Sequence, residues 1–126
     1  MKLITPLILS LAVLSACSKK KDDDKAPSRN VKYEITGNFA GKLLILYNDN
    51  VNGNTVVNNA TVPWSKEVSY PGTVAAIGIG GNATAAGTPG QTVTVKIYAG
   101  GTLVRSGTAT AGALGELSLP ALAFSF

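Results

Sequence analysis

Histidine is absent from the 126 residues, and cysteine, methionine and tryptophan occur once each. Each scarcity excludes a kind of chemistry. Without an imidazole, neither a Ser-His-Asp triad nor a Cys-His pair can be assembled within one chain. A zinc site built on His and Cys ligands fails on the same ground. A single thiol allows no disulfide within the chain. Charge is also sparse, at 14% of residues. Beyond residue 30 the acids are Glu34, Asp49, Glu67 and Glu116, and no spacing among them suggests the paired carboxylates of glycoside hydrolysis. No stretch carries helical periodicity of useful length, so a glycine-rich phosphate loop between a strand and a helix has no place here.

What is present leans towards β-structure. Fourteen glycines accompany abundant Thr, Val and Asn, and 45% of the chain is hydrophobic, a balance that suits a compact fold. The formal charge of +4 invites a nucleic-acid reading until its distribution is examined. From Val31 onwards, Lys32, Lys42, Lys66, Lys96 and Arg105 face the four acids named above, and five minus four leaves +1. The alkaline balance therefore belongs to the first thirty residues, and a basic nucleic-acid-binding stripe is not supported.

Those thirty residues divide in two. Met1-Lys2 starts a short positive segment, and Leu3 to Leu14 is an apolar run interrupted by Thr5, Pro6 and Ser10. About a dozen residues cannot span a hydrocarbon core of roughly 30 Å as a helix, but they suit the core of a secretory signal. Leu14-Ser15-Ala16-Cys17 then resembles the lipobox of bacterial lipoproteins. The resemblance implies cleavage between Ala16 and Cys17, lipid on the Cys17 sulfur, and hence a signal peptide over residues 1–16. Two or three acyl chains hold a protein on a bilayer where a single chain does not.

Residues 17–30 read as a lipidated cysteine followed by a charged, flexible tether, since from Ser18 to Asn30 no large apolar residue offers surface to bury. The run Lys21-Asp22-Asp23-Asp24 resembles the surface-export signal of Bacteroidetes-type lipoproteins. Ser18 in place of an aspartate after the cysteine resembles, by enterobacterial sorting, a protein released to the outer membrane. The expected location is the outer membrane, anchored by lipid, with outward display implied by the acidic run.

Residues 31–126 read as one domain. Val31–Thr36 alternates apolar and polar residues, the pattern of a half-buried strand. Lys42–Tyr47 is apolar on both faces and is expected at the centre of a sheet. Asp49–Asn54 contains Asn52-Gly53 and reads as a hairpin loop. It lacks the alternating acids and closing glutamate of a calcium loop. Further strands are expected over Thr55–Val62, Glu67–Tyr70, Thr73–Gly80, Thr92–Ala99 and Thr102–Ala109, with Gly81–Gln91 as a loop of small residues. Glu116–Phe126 closes the chain as an edge strand marked by Pro120. Seven or eight short strands separated by frequent turns predict an all-β fold, a small two-sheet antiparallel β-sandwich of Ig-like type. The alternating Ala121–Phe126 terminus resembles the last strand of an outer-membrane barrel, but strand number and the lack of lipid-facing bands about 10 residues long weigh against that reading.

Tyr33-Glu34-Ile35-x-Gly37, Ile45-Leu46-Tyr47, Val62-Pro63-Trp64-Ser65 and Val95-Lys96-Ile97 resemble, in order and approximate spacing, the MmpS family of mycobacterial membrane proteins. The resemblance covers residues 31 to about 105. It implies a small extracytoplasmic sandwich acting as accessory partner to MmpL-type exporters of the RND class. Two departures stand out: members are typically held by a transmembrane helix where this chain has a lipobox, and they usually carry a cysteine pair where Thr94 stands here.

Trp64 is the single side chain that composition brings forward. It suits either a binding hot spot or, following Pro63, a plug at the end of the core, and the second role fits better. Tyr47, Tyr70 and Tyr98 are expected in the packing. The combined expectation is a lipid-anchored, non-enzymatic binding module without metal or cofactor. Its partners are the membrane and an unidentified protein or small ligand, with an RND-type exporter or a surface glycan as alternatives.

Overall fold

A computed structural model describes residues 27–49 and 53–126. Among the described residues eight strands follow one another without a helix: β1 (Asn30–Gly37), β2 (Lys42–Asn48), β3 (Asn54–Ala60), β4 (Trp64–Ser69), β5 (Ala76–Ala85), β6 (Thr92–Ala99), β7 (Thr102–Thr110) and β8 (Leu122–Ser125). They form two four-stranded antiparallel sheets ordered β4-β1-β6-β7 and β3-β2-β5-β8. The expected sandwich is therefore the observed fold.

Period-two patterning explains the layering. On β1 the alternate residues Val31, Tyr33 and Ile35 are buried, as are Val93, Val95, Ile97 and Ala99 on β6. Across the gap, Leu43, Ile45 and Tyr47 of β2 meet them, joined by Ile77 and Ile79 of β5 and Phe124 of β8. Burying a side chain of this size contributes about 1.5–3 kcal/mol, so this shared layer supplies most of the drive to fold. As expected, β2 lies inside its sheet, with β3 on one side and β5 on the other.

Several boundaries differ from the sequence reading: β3 ends at Ala60 instead of Val62, β4 starts at Trp64 instead of Glu67, β5 starts at Ala76 instead of Thr73, and three further differences bear on the packing. β5 runs through Gly81 to Ala85, where a loop was expected. Small residues disguise the alternation, yet Gly81 to Ala83 pair with Ile45 to Leu43. Gly81 has φ +143°, and a Cβ there would lie 2.0 Å from the Leu44 carbonyl oxygen, so the close approach of the strands requires glycine. On the other side, Ala83 N–H donates to Leu117 O at 2.7 Å, and Leu119 N–H donates to Gly81 O at 3.0 Å.

The second difference is at the tether. β1 begins at Asn30, and Arg29 is already docked: its Nη1 donates to Pro71 O at 2.8 Å and Val74 O at 2.6 Å. Its guanidinium also lies over the Phe126 ring at 4.6 Å. The folded unit thus starts just before the expected position 31. The third is at the C terminus, where strand structure is confined to Leu122–Ser125 and an isolated bridge from Asn82 to Ser118.

Candidate functional site

The outward face of the β4-β1-β6-β7 sheet gathers residues that are far apart in sequence. Strand register places Glu67, Lys32 and Tyr98 side by side in one row, and Ser65, Glu34 and Lys96 in the next. Neighbouring strands lie about 4.8 Å apart, so these side chains are in mutual reach. Lys32 Nζ is 3.3 Å from Glu34 Oε2 and stands 5.9 Å from the centre of the Tyr98 ring. An exposed pair of this kind contributes about 0–1 kcal/mol, so its charges serve the surface more than the stability. Beside them, Ser69 Oγ donates to Asn30 Oδ1 at 2.8 Å.

Together Asn30, Lys32, Glu34, Glu67, Ser69 and Tyr98 line an open concavity of about 740 Å³. That volume falls within the range of small-molecule sites. One end is closed by the Gly100-Gly101 turn, where Gly100 N–H donates to Asn30 O at 2.8 Å. The chain enters the domain at this same end. Further along the face, hydroxyls replace charges: Thr36, Thr94 and Thr108 share a row, with Thr94 Oγ1 and Thr108 Oγ1 3.0 Å apart.

A second polar constellation is internal. Tyr70 OH donates to Asn48 O at 2.5 Å, which leaves Tyr33 OH to donate to Tyr70 OH at 2.6 Å. Burial, then the hydrogen bond to Tyr70, pushes the Tyr33 phenol far above its ordinary value of 10.0. Burial likewise raises Tyr70. Both phenols are therefore held neutral and lock the two sheets together rather than react. Asn48 extends the lock across its own sheet, its Oδ1 accepting from Gly78 N–H and its Nδ2 donating to Asn54 Oδ1.

Trp64 opens β4, opposite Ile35 on the inward side of its sheet. It is half-buried, with its ring 5.8 Å from that of Tyr47. It therefore does not join the Tyr98 concavity. Tyr47 and Tyr70 are buried, whereas Tyr98 faces outward as the aromatic floor of the concavity. Composition could not single out Tyr98; its strict alternation with Ile97 and Ala99 marks its outward direction, and only register reveals its neighbours. Ala16, Cys17, Lys21, Asp22, Asp23 and Asp24 lie outside the described residues. Among the described residues no group of three or more His, Cys, Asp or Glu side chains could hold a metal ion, and no helix is long and apolar enough to cross a membrane. Comparison with known proteins finds no matching family model and no significantly similar curated protein.

Proposed function

We propose that this protein is a lipid-anchored, non-enzymatic binding module of the bacterial outer membrane, and that it takes a carbohydrate on the Tyr98 face. The observation that carries this reading is the concavity itself: one aromatic ring set among an amide, a hydroxyl, an amine and two carboxylates. A pyranose offers an apolar face to stack on such a ring and hydroxyls that both donate and accept around it. Carboxylates are strong acceptors for those hydroxyls; Glu67 faces Lys32 from β4, and Glu34 follows it two residues along β1. The residue inventory supports binding over turnover, since it offers neither imidazole nor an available thiol.

The anchor reading rests on Leu14-Ser15-Ala16-Cys17 and the apolar leader before it. Thirteen residue-to-residue steps lead from Cys17 to Asn30, which at about 3.5 Å each reach at most ~45 Å from the bilayer. A ligand of the envelope or of the immediate cell exterior suits that reach. Titration of the isotope-labelled protein with maltohexaose, laminarihexaose and a chito-oligosaccharide tests the ligand class. Saturable shifts centred on Lys32, Glu34 and Tyr98, lost in Tyr98→Ala, are expected. Absence of shifts with every sugar rejects it. The anchor is tested separately by palmitate labelling, which Cys17→Ala is expected to abolish.

The second reading, accessory subunit of an RND-type exporter, is favoured by the ordered resemblance running from Tyr33 to Ile97 and by the small sandwich those residues occupy. Co-purification with an inner-membrane transporter after crosslinking in cells supports it, and recovery of the protein alone counts against it.

A further inference from the structure

Two leucines project into solvent at opposite ends of the sandwich. Leu114 is 84% exposed in the turn after β7, which Gly87 fastens to the β5–β6 loop by donating its N–H to Gly115 O at 2.9 Å. Leu103 is 47% exposed near the start of β7, beside the Gly100-Gly101 turn. β6 runs from one end to the other, and its eight residues at about 3.4 Å each set the two ends about 25 Å apart.

The chain enters the domain at the Leu103 end. Gly100 N–H donates to Asn30 O, and Ser28 lies so close to Gly100 that an added Cβ there would come within 2.7 Å of the Ser28 Cβ. From this end, register carries one outward row across the whole sheet. Leu103 of β7 faces Tyr98 of β6, Tyr98 faces Lys32 of β1, and Lys32 faces Glu67 of β4. Polarity thus rises in one direction, from an aliphatic side chain through a phenol to an ammonium and a carboxylate. At about 4.8 Å per strand the gradient covers about 14 Å. A bilayer changes over a comparable distance, with an interfacial layer of about 5–8 Å between hydrocarbon and water. Tyrosine and lysine settle in that layer, an apolar body below and a polar tip above.

We infer that this corner, the Gly100-Gly101 turn with Leu103 and Tyr98, seats on the bilayer that holds Cys17, an inference that rests on the anchor reading given above. Leu103 then meets the acyl boundary, Tyr98 lies among the head groups, Lys32 reaches their outer margin and Glu67 stays in water. The anchor decides which end is seated. A reach of at most ~45 Å from Cys17 keeps Asn30, and this corner with it, near lipid, while Leu114 points away. Tethering also relieves the seat of any need for strong affinity, since contact with the bilayer has become intramolecular. The concavity, on the Lys32 side of Tyr98, opens beside the head groups.

The lipidated chain, isotope-labelled and reconstituted into phosphatidylcholine–phosphatidylglycerol nanodiscs doped with a head-group nitroxide lipid, tests the inference. The amide signals of Gly100, Gly101 and Leu103 are expected to broaden at least threefold more than that of Leu114. A chain that elutes with the discs yet broadens equally at the two ends, or at neither, overturns the inference and leaves the anchor reading standing. A chain that does not elute with the discs overturns the anchor reading and the inference with it. Leu103→Asp is expected to elute with the discs and to lose most of the broadening at Gly101; broadening that persists unchanged overturns the seat. Should Leu103→Asp fail to fold, the contrast between Leu103 and Leu114 in the unaltered chain decides alone.

Discussion

The strands of the β4-β1-β6-β7 sheet carry Lys32, Glu34, Lys66, Glu67, Lys96 and Arg105, whereas those of the β3-β2-β5-β8 sheet carry Lys42 alone. The inner faces of the two sheets are nearly alike, both aliphatic with a tyrosine. Their outer faces differ in kind. One groups charge, hydroxyls and Tyr98 into a concavity; the other sets Leu46 and Val56 beside Gly80 in a smooth, uncharged row. A polar face with one aromatic suits a hydroxyl-rich ligand. The same core therefore carries two outer faces of different chemistry, one on each side.

Breaking the common core should disturb both faces. Leu43 is fully buried in β2, and Leu43→Ala is expected to cost about 2–5 kcal/mol in denaturant unfolding, with sugar binding lost as well. The next largest effect concerns the phenol relay between the sheets. Tyr70→Phe strands the buried Tyr33 hydroxyl without an acceptor and should cost about 1–3 kcal/mol. Tyr33→Phe leaves Tyr70 bonded to Asn48 and should cost about 1 kcal/mol or less. Equal losses in the two variants would show that the relay does not run in the direction read from Tyr70 to Asn48.

Alkaline titration sharpens the same point. Both phenols are raised above their unfolded value of 10.0, so the folded state holds its protons more tightly than the unfolded chain. Their contribution is complete below pH 10.0 and is lost as pH rises beyond it towards the folded value. Unfolding free energy should therefore fall above about pH 10, less steeply in Tyr33→Phe; an equal slope in that variant contradicts the account.

The smallest effects on stability fall on the outer face. Tyr98→Ala and Lys32→Ala should each change unfolding free energy by about 1 kcal/mol or less, because both side chains contact solvent. Tyr98→Ala nevertheless should abolish sugar binding, whereas Val56→Lys on the opposite sheet should leave it intact. Loss of sugar binding in Val56→Lys would mean that the two faces are not independent.

Legibility in the sequence followed side-chain size. Thr92–Ala99 alternates strictly, and β6 has those bounds; Lys42–Tyr47 is apolar throughout, and β2 is interior. Gly80-Gly81-Asn82-Ala83 has no side chains large enough to reveal a period, so the second half of β5 read as loop. Arg29 read as tether because its partners, the carbonyls of Pro71 and Val74 and the Phe126 ring, lie more than forty residues away. The candidate site was least legible of all. Glu67, Lys32 and Tyr98 become neighbours only through two strand pairings, and a shift of one residue in either would send them into the core.

By itself, the sequence determined the all-β class, the inward-facing residues of the clearest strands and the exclusion of imidazole and thiol chemistry from the domain. These follow from composition and from a period of two, which are local properties. Tertiary structure decided which strands are neighbours and which polar residues share a face. Those outcomes depend on hydrogen-bond register between distant segments, and no local pattern encodes a register whose two partners are separated by tens of residues.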